Sequence, residues 1–124
     1  MDPSGAKEFK FTPIIGRCIA RHTKDYAELS STPGNFEDFS NAVGLMQSAQ
    51  PDFSTNDLAQ INVPVRIVQS EHDEFIKQEH AEYLALNIPN AQLFNLQGVS
   101  HFAPLQRPEK FNSLIFEFLR EVSS

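Results

Sequence analysis

The chain has 124 residues, a formal net charge of −6 and 40% hydrophobic residues, which predicts a folded domain of modest size. The negative charge argues against nucleic acid or an anionic membrane as a partner, because both attract clustered Lys and Arg. Cys18 is the lone cysteine, so no disulfide can form within the chain, and no apolar run approaches the roughly 18 residues that span a bilayer. These totals predict a cytoplasmic protein.

Residues 1–60 are predicted to form a helical segment. Apolar side chains recur at helical spacing over residues 14–29 and again over residues 35–47, after a lead-in without a clear period. The second of these helices carries a stripe of large apolar side chains, namely Phe36, Phe39 and Met46. Such a stripe is typical of a packed core, and it could instead line an apolar pocket.

Two signals mark helix starts in this segment. Thr32 is predicted to cap the second helix, with Pro33 as its first residue. Ser54 and Asp57 fit a capping box, in which the hydroxyl and the carboxylate bond reciprocally to first-turn amides. A short third helix should follow.

Residues 61–124 are predicted to alternate strands and helices. Residues 61–68 form an apolar, β-branched run typical of a strand buried between helical layers, and residues 91–96 form a second strand. A helical stripe from Ile76 to Ile88 separates them, and Pro108 begins a last amphipathic helix. This strand–helix–strand–helix order predicts an α/β fold with two parallel strands.

Polar residues that can carry chemistry follow each strand. The first strand leads into Ser70-Glu71-His72-Asp73-Glu74, and the second leads into Gly98-Val99-Ser100-His101-Phe102. A carboxylate and a histidine at neighbouring strand ends suit a general acid–base site. Each also has a simpler explanation, since Asp73 could cap a turn and His101 could be a buried histidine.

Other acidic and histidine residues near Asp73 carry weaker hypotheses. Glu71 and Glu74 are predicted to be solvated turn residues, with Glu71 as a weak substitute for the acid. His72, Asp73 and His80 lack the compact spacing of a metal site, so we predict no metal ion there.

Together these motifs resemble the C-terminal half of the α/β-hydrolase fold. In that family an acid follows one strand in a Gly-x-x-Asp-type turn, and a histidine follows the next strand in a Gly-x-x-His-type turn. Ser70-Glu71-His72-Asp73 is similar to the first turn, with Ser70 in place of glycine, and Gly98-Val99-Ser100-His101 is similar to the second. The run Leu105-Gln106-Arg107-Pro108-Glu109 resembles the family's start of the last helix.

The resemblance implies a nucleophile–His–Asp triad in which Asp73 is the acid and His101 is the base. It also implies cofactor-free hydrolysis of an ester-like or related small apolar substrate. Residues 1–60 would correspond to part of a cap, and residues 61–124 to the last two strand–helix units of the core. The large apolar side chains of the second helix would line part of the substrate pocket: Phe36, Phe39 and Met46.

The nucleophile of the family, which sits in a Gly-x-Ser-x-Gly elbow, has no counterpart in the 124 residues. Gly98-Val99-Ser100-His101-Phe102 begins like an elbow, but Phe102 stands where the last glycine is required. Ser100 also adjoins the histidine that it would have to face, and adjacent side chains on an extended turn usually diverge. We therefore expect the isolated chain to be inactive.

Two other interpretations stay open. The chain could be a truncated, non-catalytic module that acts in binding or in dimer assembly. Two parallel strands leave sheet edges unpaired, which favours a homo-oligomer or a strand-exchanged dimer. The chain could also be half of a longer protein whose other half carries the nucleophile, and a Gly-x-Ser-x-Gly encoded upstream of Met1 would separate these interpretations.

Overall fold

The computed structural model describes residues 11–49 and 51–123. Within these residues the chain forms six α-helices and two β-strands. In chain order they are α1 (Pro13–Leu29), α2 (Phe36–Ala49), α3 (Thr55–Ala59), β1 (Val65–His72), α4 (Gln78–Asn87), β2 (Ala91–Ser100), α5 (Ala103–Gln106) and α6 (Pro108–Val122). No helix in the described ranges combines the length and the apolarity that crossing a membrane requires.

The described residues fall into two compact units. The first unit covers Phe11–Phe53 and holds α1 and α2, and the second holds all elements from Ser54 onward. Most of the predicted lead-in, residues 1–10, lies outside the described residues. The assignment of residues 1–60 to a cap and residues 61–124 to a hydrolase core stays a prediction.

The helices of the first unit lie close to their predicted positions. Thr12 caps α1, since its hydroxyl accepts a hydrogen bond from the Ile15 amide at 3.2 Å. The predicted cap at Thr32 is wrong, because α2 begins only at Phe36. The Thr32 hydroxyl lies instead 3.1 Å from the Tyr26 hydroxyl, and this hydrogen bond ties the turn between the helices to α1.

The predicted capping box at the start of α3 is confirmed. Ser54 Oγ accepts a hydrogen bond from the Asp57 amide at 3.2 Å, and Asp57 Oδ2 accepts one from the Ser54 amide at 2.8 Å. Hydrogen bonds from the Ser54 hydroxyl and amide lower the pKa of the Asp57 carboxyl, because they stabilise its ionised form. Their contribution to stability is present above the ordinary pKa of an aspartate and is lost as the pH falls through the lowered value.

β1 and β2 pair in parallel, as the strand–helix–strand order predicts. Residues 65–70 of β1 lie opposite residues 91–96 of β2 in an unbroken register. The register then shifts, because Ser70 lies opposite Leu96 whereas His72 lies opposite Ser100. Parallel pairing brings the carboxyl ends of both strands to the same edge of the sheet.

The strand boundaries differ from the predicted ones. The first strand, predicted over residues 61–68, begins late at Val65, and the preceding Pro64 has no N–H to donate to a ladder. Both strands also run farther than predicted, to His72 and Ser100. The backbones continue to pair there although the residues are polar, and hydrophobic patterning does not detect a polar strand end.

The core of the second unit lies between β2 and the last two helices. Its buried centre consists of Leu96, Val99 and Ala103. Ala103 belongs to α5, a helix of four residues that is too short for sequence periodicity to predict. Partly buried side chains of β1 and α6 pack against this centre: Val68, Phe111 and Leu114.

Arg66 links both strands to α6. Its side chain is only 5% exposed, and its Nη2 lies 2.6 Å from Glu121 Oε2. The guanidinium carbon also lies 4.3 Å from the ring centroid of Phe94 on β2 and 5.2 Å from that of Phe118 on α6. Nη1 donates to the Leu114 carbonyl at 3.3 Å. A buried arginine with these partners holds the last helix against the sheet.

Substituting Arg66 by alanine should lower the free energy of unfolding by about 2–3 kcal/mol, because the desolvated cation–π contacts and the packing of the buried stem are lost together. Urea denaturation of the 124-residue chain, followed by circular dichroism, measures the free energy of unfolding. Arg17→Ala, at an exposed site on α1, should change the value by less than about 0.5 kcal/mol. Equal stability losses in the two variants would contradict the role assigned to Arg66.

Candidate active site

Asp73 and His101 are each the first residue after a strand. Asp73 follows β1 and His101 follows β2. Because the two strands are parallel neighbours, their carboxyl ends meet at one edge of the sheet. The structure therefore brings together two predicted site residues that lie 28 positions apart in the chain.

The contact between them is a hydrogen bond from imidazole to carboxylate. His101 Nδ1 lies 3.0 Å from both Oδ1 and Oδ2 of Asp73. An ionised carboxylate only accepts hydrogen bonds, so Nδ1 carries a proton and Nε2 of the neutral ring is an acceptor. A histidine that acts as a general base requires this tautomer.

Burial separates the roles of the two side chains. Asp73 is only 7% exposed, and its Oδ1 accepts hydrogen bonds of 2.9 Å from the amides of Phe75 and Ile76. Asp73 therefore caps the turn, as its simpler explanation predicted, and the same carboxylate also orients the imidazole. The simpler explanation for His101 is wrong, because its side chain is 39% exposed.

Aromatic rings and a cavity surround the pair. Phe75 and Phe102 meet the imidazole of His101 edge to face, with ring centroids 4.7 and 5.3 Å away. Asp73 and His101 both line a cavity of about 400 Å³ within the second unit, a volume typical of small-molecule sites. The cavity is also lined by residues of β1 and α4, including Ile67, Val68, Gln69, His80, Ala81 and Leu84.

Ser100 is the hydroxyl-bearing residue nearest to His101 in sequence. It is only 3% exposed, and its amide donates to Gln106 Oε1 at 2.7 Å. Its hydroxyl has no hydrogen-bond partner within the part of the chain that the structure describes. This burial is unfavourable for a nucleophile, which has to reach the substrate.

Two glutamates beside Asp73 have roles that the sequence did not predict. Glu71, the predicted substitute acid, accepts a hydrogen bond from the Gly98 amide at 2.8 Å and lies 3.6 Å from His72 Nε2. Glu74, predicted to be a solvated turn residue, accepts a hydrogen bond from the His101 amide at 3.0 Å. Glu71 is exposed, as predicted, but it belongs to β1 rather than to a turn, and Glu74 lies in the bend that follows β1, as predicted. The amide contacts of the two carboxylates were not predicted, and the one available signal was that they lie two residues before and one residue after Asp73.

The remaining histidines of the second unit have other surroundings. The His72 side chain is 69% exposed, and the His80 ring stacks on Tyr83, with centroids 6.3 Å apart. Across residues 11–49 and 51–123, no group of three or more His, Cys, Asp and Glu side chains is arranged to hold a metal ion.

The predicted pocket residues lie in the first unit. Phe36 and Phe39 pack on the ring of Tyr26, with centroids 5.5 and 5.2 Å away, and all three line a groove of about 770 Å³ between α1 and α2. Met46 is not among the described residues that line this groove, and it is 51% exposed. A role for these side chains in substrate binding stays a prediction.

Two parallel strands with flanking helices define an α/β protein. A histidine bonded to a carboxylate at the carboxyl edge of such a sheet is typical of hydrolases of this class.

Comparisons with known proteins give the same class. No family model matches the chain. Over 119 residues it is 29% identical to a 2-hydroxy-6-oxononadienedioate/2-hydroxy-6-oxononatrienedioate hydrolase of Pseudomonas putida, a match that covers 96% of this chain and 37% of the relative. Over 64 residues it is 33% identical to monoacylglycerol lipase ABHD6 of Bos taurus, which covers 52% of this chain and 19% of the relative.

Solved structures agree. The carboxylesterase CesB from Bacillus subtilis matches with a TM-score of 0.53 and 28% identity, over 56% of this chain and 25% of that one. MGS-MChE2, an α/β-hydrolase enzyme from a lagoon-sediment metagenome, matches with a TM-score of 0.62 and 22% identity, over 86% and 46%. The chain belongs to the α/β-hydrolase superfamily and has part of its fold. It spans less than half the length of each of these relatives.

Asp73→Asn should move the proton of His101 from Nδ1 to Nε2. The asparagine Oδ1 can still accept from the Phe75 and Ile76 amides, which turns its NH₂ group toward Nδ1 and makes that nitrogen an acceptor. Long-range ¹H–¹⁵N NMR of the imidazole measures the tautomer. Asp52→Asn, at an exposed site, is the matched control and should leave the His101 spectrum unchanged. An Nδ1–H tautomer that persists in Asp73→Asn would contradict the assignment.

Proposed function

We propose that this chain contributes the acid Asp73 and the base His101 to the nucleophile–His–Asp triad of an α/β-hydrolase. The observation that carries the proposal is the bond of His101 Nδ1 to both oxygens of a buried Asp73, combined with a histidine side chain that is 39% exposed. The acid is held away from water, whereas the base can be reached by a nucleophile and a substrate.

The reaction follows from the tautomer. His101 Nε2 takes the proton of the nucleophile as it attacks a carbonyl carbon, and the imidazolium then returns that proton to the leaving group. Asp73 stabilises the imidazolium and keeps the ring in place without becoming protonated itself. Water, activated by the same nitrogen, releases the acyl group in the second half of the cycle. The proposed chemistry is cofactor-free hydrolysis.

The proposed substrate is ester-like or a related small apolar carbonyl compound. A carboxylesterase and a monoacylglycerol lipase are among the similar proteins, which supports an ester. The match to a 2-hydroxy-6-oxononadienedioate hydrolase covers 96% of this chain and supports a 2-hydroxy-6-oxo dienedioate instead. Residues 1–60 are proposed to act as cap and residues 61–124 as core, with apolar cap side chains in the substrate pocket: Phe36, Phe39 and Met46.

The nucleophile is proposed to come from outside the 124 residues. No Gly-x-Ser-x-Gly elbow occurs among them, and Ser100 is almost completely buried. The chain alone supplies a base and its orienting acid but no attacking atom. We therefore propose that it is inactive in isolation and acts as a hydrolase only in combination with a nucleophile-bearing partner segment.

A chimera tests the proposed triad. In it, this chain replaces the matching region of the Pseudomonas putida relative, so that the relative supplies the missing part. We expect the chimera to hydrolyse 2-hydroxy-6-oxononadienedioate, and we expect His101→Ala and Asp73→Asn to lower kcat by on the order of 10³–10⁴-fold. Asp52→Asn should leave kcat unchanged.

Labelling by a fluorophosphonate probe supplies the second readout of this experiment. The 124-residue chain alone should remain unlabelled, whereas the chimera should be labelled. Covalent labelling of the isolated chain would contradict its proposed inactivity. A His101→Ala chimera as active as its parent would exclude His101 as the base. A folded chimera that is neither active nor labelled would favour the second candidate.

The second candidate is a non-catalytic module that acts in binding or dimer assembly. In the described residues the sheet has only two strands, so one edge of each has no strand partner. Apolar side chains of α6 are also left accessible, at 41–60% of their surface: Ile115, Phe116, Leu119 and Val122. Such unpaired edges and exposed apolar groups favour self-association.

Self-association should appear in multi-angle light scattering as a mass of at least two 14.0 kDa chains. Phe116→Ser should lower the measured mass if α6 lies in the contact, because it removes the most exposed ring of that apolar stripe. Glu117→Ser, at the exposed neighbouring position, is the control and should leave the measured mass unchanged. A compact monomer at micromolar concentration would contradict the assembly candidate.

A further inference from the structure

We propose that Glu71 and Glu74 are positioning residues, which hold the end of β2 so that His101 stays bonded to Asp73. The inference rests on the proposed function, because it gives these glutamates a role in orienting the proposed base. Their carboxylates bind backbone amides at and just before His101. Neither residue is proposed to contact the substrate.

The register shift between the strands creates the need for such residues. Between the pairs Ser70–Leu96 and His72–Ser100, β1 has one residue and β2 has three. Extra residues on one strand are left without ladder partners, and each unpaired amide requires another acceptor. Gly98 lies in the middle of the three, with a φ of +72° that strains any residue with a side chain.

Glu71 is the single β1 residue opposite these three. Its Oε2 accepts the hydrogen bond of the Gly98 amide at 2.8 Å, so a side-chain carboxylate takes the place of a ladder carbonyl. A hydrogen bond to an ionised acceptor is stronger than one between neutral groups. Glu71 therefore holds the bulged part of β2 against β1, three residues before His101.

Glu74 holds His101 itself. Its Oε2 accepts the hydrogen bond of the His101 amide at 3.0 Å, while the adjacent Asp73 binds Nδ1 of the same residue. Two neighbouring side chains thus bind the backbone and the ring of one histidine. The loop that carries them is closed by the bonds of Asp73 Oδ1 to the Phe75 and Ile76 amides.

These contacts matter because a catalytic ring has to be held closely. A base performs its task only when it stays within about 0.5 Å and 10–20° of the productive geometry. A bond at Nδ1 alone leaves the backbone of His101 free to shift at the end of an irregular strand. The hydrogen bond from the His101 backbone amide to Glu74 removes that freedom. Glu71 fixes the residues of β2 that lead into His101.

NMR of the 124-residue chain tests the proposal without any need for catalysis. In Glu74→Ala we expect the Nδ1–H signal of His101 to be lost and the two tautomers to mix. Glu74→Gln should retain the wild-type spectrum, because the glutamine Oε1 can accept from the same amide. This rescue would separate a hydrogen bond from an effect of charge. In Glu71→Ala the Gly98 amide should lose its protection against hydrogen exchange. Glu79→Ala, exposed in the first turn of α4, should change neither readout.

An unchanged His101 tautomer in a folded Glu74→Ala chain would overturn the proposal. If circular dichroism shows that this variant is unfolded, hydrogen exchange in the wild type decides instead. If the Gly98 and His101 amides of the wild type exchange as fast as unbonded loop amides, the proposal is overturned. Protection of these amides would support the proposal. An inactive chimera would count against the proposed function alone, since these NMR readouts report only on the position of His101.

Discussion

Parallel pairing of β1 with β2 is the constraint on which the second unit depends. It brings the residues that follow both strands to one edge, so that Asp73 and His101 meet across 28 positions of sequence. Arg66 then ties the same two strands to α6 through Glu121 and two aromatic rings. A shift of one strand by one residue would reverse the faces of its side chains and separate this pair.

The site occupies the point where that pairing becomes irregular. Regular ladder bonds give way to carboxylates, since Glu71 and Glu74 accept from amides of β2 and of the turn after it. Asp73, between them in sequence, binds two amides of its own loop as well as the imidazole. Irregular backbone at a functional position is a common compromise, because a regular strand would direct alternate side chains away from each other.

The triad that we propose combines two residues of this chain with a nucleophile from outside the 124 residues. The second unit has His101 bonded to Asp73, the pair that we propose as base and acid, and the first unit has an aromatic groove between two helices. Without an attacking atom, an oriented imidazole can accept a proton but cannot complete an acyl transfer. The turnover that we propose therefore requires a nucleophile in addition to the residues of this chain.

Local signals in the sequence determined the helices α1, α2 and α6, the capping box at Ser54 and the parallel order of the strands. The helices depend on hydrophobic periodicity, the capping box depends on bonds between residues a few positions apart, and the parallel order follows from the alternation of strands and helices. Strand order also determined that Asp73 and His101 would meet. Tertiary structure alone decided where the strands begin and end, and that Glu71 and Glu74 bind amides 27 positions away. Those contacts depend on which residue of one strand lies opposite which residue of the other. A register shift is a property of the pair of strands, so tertiary structure alone decides it.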